Sequence, residues 1–376
     1  MKRVWSLLIA ITVTALLLPL PATAANETLM ISSPANRDSR GIFLDDSLAL
    51  DLSPVGRLGV LVYRDLPRAR SVAIDMALIE EVQDLADGYS YLDLNGELTS
   101  VSESLVAANW LAALLRNLSR VNDGKTISAL AYGNPDHKYL MERAPSEFSF
   151  YQEIARARLS GFLGRDVVSP QNSASSVGKA ANAARSLHNK SRPVLKRIYS
   201  IAPAPEVLTL RLELGKLLNP GNNKERLAKL IAALQAETTK SARSLRVAKG
   251  SYTITASQYE LPITIINDFS VPVSVRPKVK ASNSRVIITQ PALITVPANS
   301  QVQVALPLEV IASGETALEV RLRSMGGKVI GPVTEIPLRL AVISPLTTWF
   351  TTGMAVLLLL AAVVQSMRRV KRRSVK

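Results

Sequence analysis

Apolar positions fall into distinct textures along the chain. Between residues 58 and 248, short apolar runs alternate with longer stretches of helical period. "RLGVLVY", "SVAID" and "TISALAY" are compact, β-branched and bounded by polar or Pro-containing turns, which predicts buried strands. "MALIEEVQDLADG" puts Leu78, Val82 and Leu85 on one helical face, with Gly88 as its stop. Ser100 and Glu103 have the spacing of a capping box, opening a helix that carries Leu111, Leu114, Leu115 and Leu118. Residues 146–160 read as another helix, residues 169–190 as linker or weak helix, and "PVLKRIYS" as a strand. A helix with Leu210, Leu214, Leu217 and Leu218 follows, then a longer one over 223–247 with Leu227, Leu230, Ile231 and Leu234 inward. Strands alternating with helices imply βαβ units and a mainly parallel sheet. The expected fold class is α/β, an incomplete or degenerate β/α barrel over 58–248, with an open α/β sheet as the alternative. Residues 25–57 are turn-rich and carry no clear period.

From residue 251 the period becomes two. "SYTITAS", "LPITIIND", "VPVSVRPKVKA", "QVQVALPLEV" and "VTEIPLRLAV" alternate apolar and polar, with turn residues recurring between them. That predicts an all-β immunoglobulin-like sandwich over 251–342. Both ends read as membrane signals. Residues 1–24 have Lys2 and Arg3, an apolar middle and Ala22-Thr23-Ala24, the order of a signal peptide cleaved after Ala24. Residues 344–367 carry no formal charge, with Trp349 and Phe350 placed as an interfacial belt, and a transmembrane helix of about 20 residues is expected there. Residues 368–376 form a basic tail. The sequence expectation is therefore a single-pass type I membrane protein, its body extracytoplasmic and its tail cytoplasmic against anionic lipids.

These segments change the meaning of the charge. The formal +15 includes Lys2, Arg3 and six basic residues of the tail; without those eight the body is left with +7. A mildly basic body of that size is no nucleic-acid footprint. There is no cysteine, so disulfides and thiol chemistry are excluded. The two histidines, His137 and His188, stand in unrelated contexts, with no H-E-x-x-H, so no metal site is expected. No P-loop and no G-x-S-x-G elbow occurs, and no cofactor is expected.

Candidate chemistry sits on strand-to-helix turns, where α/β domains place their sites. Asp75 ends "SVAID", and Tyr132, Asn134 and Asp136 follow "TISAL" in the turn "AYGNPD". Tyr132 is a ring of the kind that stacks on sugars. Asp75 and Asp136 form the alternative, an acid/base pair of a glycan-active hydrolase. Against both stands the plain reading that an Asp after a strand caps the next helix and that N-P-D is good turn chemistry. His137 reads as a solvated turn residue.

Three stretches carry a resemblance. "VAIDMALIEE", "WLAALLRNL" followed by "ISALAYGNPDHKYL", and "YTITASQYELPITIINDFSVPVSVRPKV" with Asn267 are similar to an actinobacterial family of single-pass envelope proteins of unknown function, often encoded beside the lipid II flippase. The chain departs from that pattern at Met76, Ala131 and Asn134, and the last removes a carboxylate from the turn. The resemblance implies an envelope location and a sandwich near the membrane, with no established activity. The combined expectation is a non-enzymatic protein that binds a cell-wall glycan or an envelope-synthesis protein.

Overall fold

The computed structural model describes residues 28–93, 95–119, 124–169, 178–341 and 345–373. In chain order the first elements are β1 (Leu29–Ile31), α1 (Ser47–Asp51), α2 (Arg57–Val60), β2 (Ser71–Ile74), α3 (Met76–Asp87), β3 (Tyr89–Leu92), β4 (Leu98–Val101), α4 (Leu105–Leu118), β5 (Thr126–Ala129), α5 (His137–Arg143) and α6 (Pro145–Leu163). Helices α7 (Asn182–Tyr199), α8 (Pro205–Leu217) and α9 (Lys224–Ser241) follow. Then come β6 (Leu245–Val247), β7 (Tyr252–Ile254), β8 (Gln258–Asn267), β9 (Val273–Ala281), β10 (Val286–Ile288), β11 (Ile294–Val296), β12 (Ser300–Val310), β13 (Gly314–Arg323), β14 (Val329–Leu340) and α10 (Pro345–Arg373). The chain divides into two compact units, residues 1–184 with 215–230, and residues 185–214 with 231–376.

The first unit is built on three parallel strands in the order β1-β2-β5. Leu29 pairs with Val72, and Ser71 with Thr126. Val72, Ala73 and Ile74 of the central strand are all fully buried, as a parallel strand covered on both faces requires. Helix α4 packs on α3, and α6 packs on β5 and α3. This is an open sheet, and the expected barrel is corrected on two segments. "RLGVLVY" is helical: α2 runs into a π-helical turn, Leu61–Asp65, and a 3₁₀ turn, Leu66–Arg68. Leu58, Val62 and Leu66 recur at i, i+4 and i+8 and are each fully buried, a helical face hidden in a run too short to show its period. "PVLKRIYS" is the end of α7, with Pro193 inside the helix. Its buried Leu187, Leu195 and Ile198 fall on a helical face that begins upstream, in residues expected to be linker or weak helix. With those two strands gone, no barrel closes. The segment expected to be irregular supplies an edge strand, β1. The helix after Ser100 starts later than expected: Ser104 is its cap, its Oγ accepting from the Ala107 N–H at 3.4 Å, while Ser100 lies in β4.

The second unit contains an immunoglobulin-like sandwich. One sheet has the order β10-β12-β8-β6, the other β11-β9-β13-β14-β7. Alternate residues of the long strands face inward: Leu261, Ile263 and Ile265 of β8, and Leu318, Val320 and Leu322 of β13 are buried. Asn267 closes one end. Its Nδ2 donates to the carbonyls of Val271, Val296 and Pro297, and its Oδ1 accepts from the Phe269 N–H at 3.1 Å. Three carbonyls share the two N–H donors of this one buried amide.

The expected leader, residues 1–24, lies outside the described residues. The expected transmembrane helix is corrected. Among the described residues no helix is long and apolar enough to cross a membrane. Helix α10 has 29 residues, but its unbroken apolar run is only Met354 to Val364, bounded by Thr351, Thr352 and Gly353 on one side and Gln365 and Ser366 on the other. Such a run spans about 16 Å, roughly half of a hydrocarbon core. The single-pass type I placement is corrected with the span. Residues 368–373 belong to the end of α10, and residues 374–376 lie outside the described residues.

Candidate functional site

The carboxyl ends of β1, β2 and β5 lie side by side because the strands are parallel and in register. Each feeds a polar segment: Ser32 to Asn36 after β1, Asp75 after β2, and Leu130 to Asp136 after β5. Asp75 caps α3. Its Oδ1 accepts from the Ala77 N–H at 3.0 Å and from the Gly133 N–H at 2.9 Å, while its buried Oδ2 has no hydrogen-bond partner among the described residues. Burial pushes this carboxyl up to about 7; the two amides from Gly133 and Ala77 oppose the rise, Glu81 adds to it, and Lys216 opposes it.

The "AYGNPD" turn is folded inward. Tyr132 is 2 % exposed. Its hydroxyl donates to Glu80 Oε2 at 2.5 Å, Arg158 Nη1 donates to Glu80 Oε1 at 2.6 Å, and the Arg158 guanidinium stands 5.7 Å from the Tyr132 ring centre. Gly133 has φ +78°, and a Cβ there would lie 2.6 Å from Lys216 Cα, so the position needs glycine twice over. Asn134 also has positive φ, at 44°, which asparagine tolerates, and its Nδ2 donates to Ser32 Oγ at 3.1 Å. Asp136 caps α5: Oδ1 accepts from the Tyr139 N–H at 3.0 Å and Oδ2 from the Ala180 N–H at 2.9 Å. The structure thus gathers Asp75, Tyr132, Asn134 and Asp136 at one end of the sheet, but as buried, bonded parts of its framework. Two sequence expectations are corrected here. Tyr132 does not present an open ring for stacking, and Asp75 and Asp136 do not form an exposed acid/base pair, because backbone N–H groups engage both.

Sequence reading missed a second cluster beside this turn. Glu81 lies on the buried face of α3, and Lys216 lies near the end of α8; each side chain is 2 % exposed and Nζ stands 2.7 Å from Oε1. Glu81 Oε2 accepts from Asn36 Nδ2 at 2.8 Å and from the Asn36 backbone N–H at 3.2 Å. Asn36 Oδ1 in turn accepts from Arg226 Nη1 at 2.8 Å. The signal was present in "MALIEEVQDLADG": position 81 follows Leu78 by three and precedes Leu85 by four, so its acid falls on the apolar face. A charge held there needs a buried partner. Among the described residues no group of three or more His, Cys, Asp or Glu is placed to hold a metal ion.

The sandwich carries a different feature on one sheet. A cavity of about 340 Å³ is lined by residues of β8, β10 and β12 with Thr289. Glu260 stands opposite Pro307, and Glu309 opposite both Gln258 and Ile287, so these side chains share the outer face. Ile287 is 54 % exposed and Tyr259 37 %. The cavity thus sets two carboxylates, Glu260 and Glu309, beside exposed apolar groups.

No curated protein matches the chain. Among solved structures, WR4, an MSP family member of C. elegans, is 13 % identical, the match covering 26 % of this chain and 99 % of that one at a TM-score of 0.22. The ASH/PapD-like domain 7 of human CEP192 is 9 % identical over 27 % of this chain and 87 % of that one, at 0.22. Native alpha-2-macroglobulin from Escherichia coli, from domain MG7 to its C-terminus, is 12 % identical over 26 % of this chain and only 16 % of that one, at 0.22. Overlaps this small leave the sandwich resting on its own strand pairing. The family profile described as Family of unknown function (DUF6049) matches residues 98–374, most of the chain, and the protein belongs to that family.

Proposed function

We propose that the protein is a non-enzymatic binding protein whose recognition surface is the groove on the β10-β12-β8 sheet. The observation that carries this is the pairing of Glu260 and Glu309 with the exposed Ile287 and Tyr259 around one cavity. Its occupant is a segment of a partner protein with a lysine or arginine beside an apolar side chain. The cation meets the two glutamates and the apolar group covers Ile287. The strand-end turn supports the same reading from the other side: both oxygens of Asp136 accept backbone amides, which suits a framework better than acid/base chemistry. The finer resemblance, to actinobacterial envelope proteins, makes an envelope-synthesis protein the first partner to try.

The test is photo-crosslinking in cells, with a benzophenone amino acid at Thr289 and, as control, at Lys278 on the other sheet. The expected result is a product at Thr289 alone, lost in the Glu260→Lys/Glu309→Lys variant while the thermal melt is unchanged. Equal products at both positions, or capture that survives the double variant, would overturn the groove. Sugar release from purified cell-wall glycan by the wild type, abolished in Asp136→Asn, would make the protein an enzyme instead.

A further inference from the structure

Asn36, Glu81, Lys216 and Arg226 form one hydrogen-bonded cluster. One glutamate touches both an amine and a carboxamide, at 2.7 Å from Lys216 Nζ and 2.8 Å from Asn36 Nδ2. The carboxamide oxygen is held by a guanidinium at 2.8 Å. All three reacting side chains are buried: Asn36 4 %, Glu81 2 % and Lys216 2 % exposed. The amide is also fixed in orientation, since Nδ2 donates to the Pro34 carbonyl at 2.9 Å and only Oδ1 faces the arginine. We infer that Lys216 and Asn36 join in an intramolecular isopeptide bond, formed by the folded protein itself with Glu81 as the catalytic residue.

The step needs no outside reagent. Glu81 takes a proton from the Lys216 ammonium, and the amine lone pair attacks Asn36 Cγ. Negative charge gathers on Oδ1, where Arg226 already donates, the placement that stabilises a tetrahedral intermediate. A second proton passes from Nζ through Glu81 to Nδ2, the Cγ–Nδ2 bond breaks, and ammonia leaves. One carbon–nitrogen bond is exchanged for another, nothing is oxidised or reduced, and Glu81 ends protonated against the new amide. Burial favours this outcome, because it replaces a buried charged pair by neutral groups. Holding amine and carboxamide on one carboxylate supplies the proximity that amides otherwise lack at neutral pH. The bond would tie the segment after β1 to the end of α8 in a chain that has no cysteine for a disulfide.

A plain buried ion pair with a hydrogen-bonded asparagine is the competing account, and peptide mapping separates the two. Trypsin normally cleaves after Arg37, Arg211, Lys216 and Lys224. The cross-link blocks cleavage after Lys216. It joins the peptide ending at Arg37 to residues 212–224, lighter than the sum by one ammonia. A cyclised Asn36 also loses ammonia but joins nothing, so the joined peptide is the decisive product. It should be present in the folded full chain and lost completely in Lys216→Arg, in Asn36→Ser and in Glu81→Gln, the last of which keeps the volume of the buried side chain. The wild-type digest alone decides the matter even if a variant fails to fold. Free cleavage after Lys216 in folded wild-type protein overturns the proposal. So does a joined peptide containing Glu81 in place of Asn36, and persistence of the bond in Glu81→Gln removes Glu81 from the chemistry.

Discussion

At Asp75 one carboxylate oxygen carries two backbone amides and the other carries none, and the group is fully buried. Desolvation is the largest cause of its rise from 3.8 to about 7. The sign follows from proton linkage. Between those two values the folded state binds a proton that the unfolded state releases, so this group's contribution to stability is complete below about pH 4 and is lost as pH rises through 7. The rise corresponds to at most about 4 kcal/mol. The charged groups acting on Asp75 are Glu81, which raises it, and Lys216, which lowers it; an isopeptide bond that leaves Glu81 protonated removes both and leaves desolvation as the cause of the rise. In Asp75→Asn the Oδ1 bonds remain and the titration disappears. Urea melts at pH 5 and pH 8 should show the wild type more stable at the lower pH, once other groups are controlled for by the variant, and the variant should have a smaller difference. An equal pH difference in both proteins would mean that Asp75 does not titrate in this window.

At the scale of elements, legibility followed the strength of the period. The long helices α4, α6 and α8 and the alternating strands β8, β12 and β14 were readable because each repeats its pattern several times. "SVAID" and "TISAL" were readable as well, since a short β-branched run ending in an Asp or a turn has few other uses. "RLGVLVY" was not, because about two turns of helix and one buried strand look alike in seven residues. What decides it is tertiary: the Leu58 carbonyl accepts from Trp110 Nε1 at 2.9 Å, a partner 52 residues away. The candidate site was half legible for the same kind of reason. The caps at Asp75 and Asp136 are local, whereas Asn36, Glu81 and Lys216 meet only through the fold. The helix at α2 has its own test in Gly59, where a Cβ would lie 1.7 Å from the Ser53 carbonyl oxygen. A strand would accept alanine there with little change. The close approach requires a loss of about 1–3 kcal/mol for Gly59→Ala, as for an overpacked core. A denaturant melt within a few tenths of a kcal/mol of wild type would contradict the packing described for this segment.

At the scale of the whole molecule, the question is where the sandwich begins. Period-two alternation starts at residue 251, but the strand pairing starts earlier. Leu245 pairs with Asn267, and Val247 with Ile265, so β6 forms the edge of the β10-β12-β8-β6 sheet. Leu245 is fully buried and Val247 nearly so. Val247 also gives its carbonyl to Thr334 Oγ1 at 3.2 Å, a strand of the opposite sheet, and Arg246 pairs with Asp268. Three residues were too few to show a period, and they sit directly after α9, whose helical pattern ran across them. The strand matters more than its length suggests, because it buries two apolar side chains and protects the β8 edge from open pairing. A fragment covering residues 243–341 should therefore unfold cooperatively by itself, as its size and separate core allow. A fragment of residues 249–341 should be less stable by about 2–5 kcal/mol, the cost of removing two buried aliphatic side chains and a ladder of strand bonds. Thermal and urea melts of the two, at matched concentration, measure the difference. Equal midpoints would show that β6 is dispensable, and a broad, non-cooperative melt of the longer fragment would show that the sandwich depends on the rest of its unit.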